Sequence, residues 1–180
     1  MRMIDSIAAR RMCNARPISS TSGRREICRC AVGSCCGMKL MGRDFDRIRR
    51  EHLRGVKVTE FARLWWQAEQ RGDALRAEDQ VDWYLVGVLA ACRWIANAWI
   101  PYDGPIDGRN GEMAKTPLTL KGAWVIEELI EEETLYAERL VGRWEWPGRP
   151  GYVAGVAATF AWTWRRSSVP PIQVEQAHAS

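Results

Sequence analysis

Histidine is scarce in this chain, which has only His52 and His178 among its 180 residues. Neither has a nucleophile or a carboxylate at motif spacing. Serine-triad and cysteine–histidine catalysis are therefore disfavoured, because both need a base held against the nucleophile. The same scarcity disfavours histidine-based metal sites. The chain also has no Walker A run and no G-x-G-x-x-G run, which excludes phosphate-binding loops of those two types.

Cysteine is nearly missing after residue 36, where Cys92 stands alone, whereas all ten tryptophans follow residue 64. Residues 1–40 also hold eight basic side chains against two acidic ones, and residues 41–180 hold 18 basic against 20 acidic. The two parts are therefore different kinds of sequence. Because the folded part has a net charge of −2, nucleic acid is not an expected partner for it.

Residues 1–40 predict a disordered leader, since they show no sustained apolar period and contain arginine pairs and a serine-rich run. No apolar run is long enough for a secretory signal, so we expect a cytoplasmic protein. Four cysteines at C-x-C-x4-C-C spacing could bind zinc, but they lack paired C-x2-C knuckles; they are Cys28, Cys30, Cys35 and Cys36. Another interpretation is that translation begins at Met38 or Met41 and that the leader is absent from the native protein.

The next segment, Arg43–Arg54, is a charged run that predicts a short helix with a solvated face. Thr59 then resembles an N-cap, and an amphipathic helix is predicted to about Arg71, with Gly72 ending it. Its apolar stripe comprises Phe61, Leu64, Trp65 and Ala68. Trp66 falls off this stripe.

Residues 76–99 form the longest apolar-patterned stretch, with apolar side chains on two faces, which predicts a buried central helix. Its narrow polar strip includes Asp79, Asp82 and Arg93. An arginine near the middle of a membrane costs roughly 2.5–3.5 kcal/mol, so we expect no membrane span. Cys92 is expected to be a small core residue.

Thr116-Pro117 predicts a helix start, and the helix is expected to continue to Val141. Glutamates occupy one face of it, but Glu133 lies within the opposite, apolar stripe. A carboxylate buried there needs a cation or a proton. We therefore expect Glu133 to form a buried ion pair with Arg93.

The last helix is predicted from about Pro150 to Arg166, with a face of small residues, Gly155, Ala158 and Thr159, that would let a second helix approach closely. Trp162 lies near this face, and residues 168–180 predict a flexible tail. Every strongly periodic segment is helical. The fold prediction is therefore an all-α, compact, bundle-like domain of four to five helices spanning residues 41–167.

Four carboxylates provide a metal-binding alternative. Asp79 and Asp82 lie three residues apart in one predicted helix, and Glu128 and Glu131 lie three apart in another. Converging from two helices, they could bind Mg²⁺ through oxygen ligands. This arrangement is similar to the all-α nucleotide pyrophosphohydrolases of the MazG type, which carry E-x-x-E followed by E-x-x-D. Here the Asp pair comes first and no E-x-x-D follows, and the alternative interpretation is an exposed acidic face.

Trp66 and Trp162 are predicted to lie off the main apolar stripes, and tryptophan is common at interface hot spots. The alternative, which applies above all to Trp162, is that each packs on a second internal face. The sequence thus favours a non-enzymatic protein–protein interaction or accessory module that has no cofactor and binds an unknown protein or a second copy of itself. A Mg²⁺-dependent nucleotide hydrolase, as the resemblance implies, is the first alternative. A DNA-associated accessory protein that uses Arg43–Arg54 is the second.

Overall fold

The computed structural model describes residues 42–101 and 111–174. The elements in these two ranges are α1 (Gly42–Phe45), a 3-10 turn (Arg50–His52), α2 (Val58–Ala77), α3 (Trp83–Ile95), β1 (Trp99–Pro101), β2 (Gly111–Met113), α4 (Glu127–Leu140) and α5 (Tyr152–Thr163). These elements confirm the helical domain that the periodicity predicts. The antiparallel β1–β2 hairpin, in which Trp99 pairs with Met113, is not indicated by the sequence pattern.

Two glycines allow α3 and α5 to pack backbone against backbone. A Cβ added at Gly87 would collide with the carbonyl oxygen of Tyr152, and one added at Gly155 would collide with the carbonyl oxygen of Tyr84. The contact is therefore reciprocal, and each helix presents a glycine to the main chain of the other. The close approach expected from the small residues of the last helix is present at Gly155.

The remaining long helices complete one apolar core, with α2 packed on α3 and α4 packed on α5. Aromatic rings fill much of the space. Trp94 meets Phe160 edge to face at a centroid separation of 6.1 Å, and Phe61 stacks on Trp162 at 6.4 Å. These geometries add to the stabilisation that burial provides. Cys92 is fully buried among these side chains.

Three helices end at a residue other than glycine in the left-handed conformation. Asp79 follows α2 with φ 56°, Asn97 follows α3 with φ 49°, and Arg166 follows α5 with φ 60°. In each case the next amide donates back to a carbonyl of the last helical turns: Gln80 to Leu75 and Ala98 to Arg93, each five residues back, and Ser167 to Ala161, six residues back. This bond satisfies a carbonyl that the helix end leaves free.

Several predicted helix bounds are wrong, each for a reason that the contacts at that position show. Gly72 lies inside α2, because its missing side chain leaves room for Leu89 of α3, whose Cδ1 would lie 3.1 Å from a Cβ there. Thr116 and Pro117 belong to a turn: the Thr116 amide donates to the Lys121 carbonyl, and the Leu120 amide donates to the Thr116 carbonyl. Helix α4 therefore begins only at Glu127.

The predicted leader, residues 1–40, and the end of the predicted tail, residues 175–180, lie outside the described residues. Residues 168–174 contain no helix or strand. In this segment Ile172 is buried, and the Pro171 carbonyl accepts a hydrogen bond from the Tyr84 hydroxyl at 2.8 Å. Across the described ranges, no helix combines the length and the apolar character that crossing a membrane requires.

The glycine contact predicts a large effect from a single methyl group. Gly155→Ala should lower the free energy of unfolding by about 1–3 kcal/mol, because the cost of overpacking against a backbone carbonyl exceeds the gain in helix propensity. Gly122→Ala is the matched control, because no atom lies within 4 Å of a Cβ there, and it should change stability by less than about 0.5 kcal/mol. Urea unfolding of both variants measures the difference, and equal effects would contradict the close contact.

Candidate functional site

A cleft of about 450 Å³ opens between α2 and α3 and is closed on its other sides by the β1–β2 hairpin, residues 114–120 and residues 149–152. We call it the α2–α3 cleft. Its volume is within the range of about 300–1,000 Å³ that is typical of ligand sites. The walls are mostly apolar and include Leu75, Leu85, Val86, Leu89, Ile100 and Pro117.

Four cationic side chains line this cleft, namely Arg76, Arg93, Lys115 and Arg149. Three of them have a carboxylate of the same chain close by: Asp73 for Arg76 at 2.9 Å, Glu69 for Arg93 at 2.6 Å, and Glu112 for Lys115 at 3.1 Å. Asp82, the one carboxylate among the lining residues that the structure describes, lies 3.6 Å from Arg71. Internal pairing thus compensates most of the charge around the cleft.

Arg149 is different from the other three cations. Its guanidinium lies over the rings of Trp83, at 5.3 Å, and Trp146, at 5.1 Å. It forms no ion pair within the described part of the chain. The nearby carboxylate of Glu145 accepts a hydrogen bond from the Gly151 amide at 3.1 Å instead.

Arg93 is held by a buried carboxylate that the sequence analysis did not identify. Its Nε and Nη2 donate to the two oxygens of Glu69 at 2.7 and 2.6 Å, and Trp65 Nε1 donates to the same carboxylate at 3.0 Å. Burial lowers the pKa of Arg93, but the hydrogen bonds and the charge of Glu69 outweigh it, so the net pKa is raised. This bidentate pair joins α2 to α3 beside the cleft.

The predicted pairing of Glu133 with Arg93 is wrong, although Glu133 is buried. Its carboxylate accepts from the Leu118 amide at 3.0 Å, from the Thr119 amide at 3.2 Å and from the Thr119 hydroxyl. Backbone and hydroxyl donors of the 116–121 turn thus take the role expected of a cation. The prediction failed because Arg93 has a nearer acid, Glu69, on α2.

The four carboxylates of the metal-binding hypothesis do not converge. Asp79 closes the end of α2, Asp82 caps α3 by accepting from the Leu85 amide at 3.1 Å, and Glu131 accepts from Trp164 Nε1 at 2.6 Å. Glu128 is exposed. Among residues 42–101 and 111–174, no three His, Cys, Asp or Glu side chains are grouped so that they could hold a metal ion. The predicted convergence is therefore wrong.

The two tryptophans predicted at an interface lie in different environments. Trp66 is 48% exposed on the outside of α2, whereas Trp162 is only 8% exposed. Trp162 stacks on Phe61 in the core, so of the two interpretations of this residue the packed internal face is the one observed. Trp66 remains an interface candidate, about half a turn around α2 from Leu75, which faces the cleft.

The charged run Arg43–Arg54 is not one helix but α1 followed by a 3-10 turn. Arg54 donates to Glu127 at 2.9 Å and lies 3.6 Å over the ring of Trp164. Arg49 lies 3.9 Å from Glu51. These pairs lower the number of cations that the run could offer to DNA phosphates.

The reactive groups around the cleft have structural partners. The Tyr152 hydroxyl donates to the Pro117 carbonyl at 2.8 Å, and burial raises the pKa of Tyr152 to about 12. Thr116 Oγ1 lies 2.8 Å from Thr119 Oγ1 and accepts from the Lys121 amide. Burial, together with the charge of Glu69, raises the pKa of Cys92, which leaves an inert thiol. None of the described lining residues forms a nucleophile–base pair.

Glu69 and Arg149 are the two residues of this region that sequence reasoning missed. A signal existed for Glu69, which follows Trp65 by four residues and therefore lies on the apolar stripe of α2. No such signal exists for Arg149, since it lies in a turn and its ring contacts depend on the tertiary fold.

No protein-family model, no curated protein and no solved structure matches this chain. Function is therefore inferred from the residues of the chain itself.

Glu133 provides a test of the buried turn. Glu133→Gln should lower the free energy of unfolding by about 1–3 kcal/mol, because an amide nitrogen would replace one of the oxygens that face N–H and O–H donors. Glu132→Gln, on the exposed face of the same helix, is the control and should have a much smaller effect. Thermal and urea unfolding measure both. Equal stability of the two variants would contradict the buried carboxylate.

His52 predicts a loss of stability at acidic pH. The side chain is buried, its Nδ1 has no hydrogen-bond partner, and burial lowers its pKa below the usual 6.5. Below that pH the unfolded chain binds a proton that the folded chain does not, so its contribution to stability falls as the pH drops below about 6.5. Urea unfolding at pH 5 and pH 7.5 should show a smaller pH dependence in His52→Gln than in the original chain. An unchanged pH dependence would contradict the assignment.

Proposed function

We propose that this protein is a non-enzymatic protein-interaction module that binds a short peptide segment of a partner protein in the α2–α3 cleft. The observation that carries the proposal is an open, apolar cleft with an apolar rim. Val81 and Leu120, which lie on two separate segments of the lining, are 62% and 52% exposed.

The exposed rim favours a peptide over a small molecule. A compound confined to the interior of the cleft would leave Val81 and Leu120 in water, whereas a chain that passes over the rim would cover both. Covering apolar surface contributes roughly 25 cal/mol per Å². The lining also includes aromatic and arginine side chains, Trp83, Tyr152, Arg93 and Arg149, which are the types that dominate binding energy at interfaces.

The chemistry of the lining supports binding rather than catalysis. General acid–base or nucleophilic catalysis needs a reactive side chain that is free to meet a substrate. Among the described residues of this region, the oxygen-bearing side chains make structural contacts instead. They hold the turn at residues 116–121, cap the start of α3 and form the ion pair between α2 and α3. This distribution also supports binding over the hydrolase alternative, which requires several carboxylates at one point.

Peptide selection with a cleft-filling variant tests the proposal. A displayed library of random dodecapeptides, selected on the full-length chain, should yield peptides that bind it. Ala90→Phe places a larger side chain in the lining and should weaken those peptides at least tenfold, whereas Trp66→Ala, on another face of α2, should leave them unchanged. Fluorescence anisotropy measures the affinities, and urea unfolding verifies that both variants fold.

Two outcomes would contradict the cleft as the binding surface. One is a selection that gives no binding peptides. The other is a set of peptides whose affinity falls in Trp66→Ala and not in Ala90→Phe, which would move the interface to the outer face of α2.

A further inference from the structure

We infer that the bound peptide carries a carboxylate and that Arg149 receives it at the edge of the α2–α3 cleft. This inference rests on the proposed peptide-binding function and adds the chemical character of the partner. It is drawn from the charges around the cleft, the fixed position of the Arg149 guanidinium and the apolar walls beside it.

The charge around the cleft is balanced at every described position but one. Arg76, Arg93 and Lys115 each have an acidic partner within 3.1 Å, and the only acidic residue in the described part of the lining, Asp82, lies 3.6 Å from Arg71. Arg149 is the one lining cation with no ion pair among the described residues. The surface therefore offers one uncompensated positive charge, which matches a single carboxylate better than a polyanion such as a nucleic acid.

The Arg149 guanidinium is positioned before any ligand arrives. The rings of Trp83 and Trp146 both lie against it, at 5.3 and 5.1 Å. The backbone around it is a tight turn in which the Arg149 amide donates to the Trp146 carbonyl at 2.8 Å, and the Arg149 carbonyl accepts from the Tyr152 amide at 3.2 Å. A guanidinium stacked on aromatic rings keeps its N–H edge available, and that edge matches the two oxygens of a carboxylate.

The local acid that could neutralise Arg149 is already used. Glu145 lies four residues before it in the chain, and its Oε2 accepts from the Gly151 amide at 3.1 Å. Gly151 is in the left-handed conformation with φ 86° and precedes α5. Glu145 thus stabilises the turn that presents Arg149, and no other carboxylate among the described residues pairs with the guanidinium.

The apolar walls specify the rest of the ligand. Arg149 shares the lining with Leu85, Val86 and Leu89 of α3. A peptide whose carboxylate meets Arg149 can therefore place neighbouring apolar side chains on α3, where their burial provides most of the affinity. The inferred recognition element is an acidic group, either an Asp or Glu side chain or the C-terminal carboxylate, next to apolar residues.

A double-mutant cycle with synthetic peptides tests this inference. Dodecapeptides obtained by selection on the original chain are synthesised in four forms: unchanged, with each Asp or Glu replaced by its amide, with an amidated C-terminus, and with both changes. Their affinities are measured by fluorescence anisotropy for the original chain, Arg149→Gln and Arg76→Gln. Arg76 is the matched control, because it lines the same cleft but is paired with Asp73.

We expect removal of one carboxylate to weaken binding to the original chain about tenfold or more. The same removal should have little further effect on Arg149→Gln and the full effect on Arg76→Gln. The form that loses affinity identifies the source of the carboxylate as side chain or C-terminus. Urea unfolding establishes that Arg149→Gln is folded.

Two results would overturn the inference while leaving the proposed function in place. The first is that the selected peptides bind in the cleft but removal of any of their carboxylates leaves the affinity unchanged. The second is that the carboxylate matters equally in Arg149→Gln, so that another cation receives it. A complete lack of peptide binding to the original chain would overturn both proposals.

Discussion

The backbone contact between α3 and α5 is the constraint on which the rest of the fold depends. Because Gly87 and Gly155 each face a main-chain carbonyl of the other helix, the two helices meet backbone to backbone at these two positions, which fixes their separation. Helix α2 then packs on α3, and α4 packs on α5. The α2–α3 cleft exists because this arrangement leaves one side of α3 covered only in part by the hairpin and by the turn at 116–121.

Two buried carboxylates illustrate what the sequence could and could not predict. Periodicity placed Glu133 inside an apolar stripe, and it is buried, but periodicity cannot identify a partner that lies in a turn formed by the tertiary fold. The same reasoning applied to α2 would have found Glu69, four residues after Trp65. The predicted helix bounds were wrong where contacts in the folded chain override local signals. One such place is Gly72, whose lack of a side chain accommodates Leu89, and another is Thr116-Pro117, whose backbone groups belong to a turn.

The proposed binding surface was less predictable than the fold for a physical reason. Arg149 lies in a turn with no periodicity, and besides the neighbouring Trp146 its position depends on the ring of Trp83, which comes from a distant part of the chain. The single apolar stripe of α2 correctly left Trp66 exposed, whereas α5 is buried on more than one face, and Trp162 is buried with it. Side chains that act through a cleft are recognised only when several segments are brought together.

The helix ends at Asp79, Asn97 and Arg166 have a further consequence for the molecule. A left-handed backbone costs most residues with a side chain roughly 1–2 kcal/mol, whereas Asn and Asp adopt it more readily and glycine avoids the cost. The described residues include a fourth such position, Leu120 with φ 57°, so that one left-handed residue is on the rim of the cleft and another, Asp79, lies two residues before Val81 on the same rim. Local opening has its lowest free energy where few buried apolar contacts are lost. The amide hydrogens of the rim segment after α2 are accordingly expected to exchange with solvent faster than those inside the neighbouring helices.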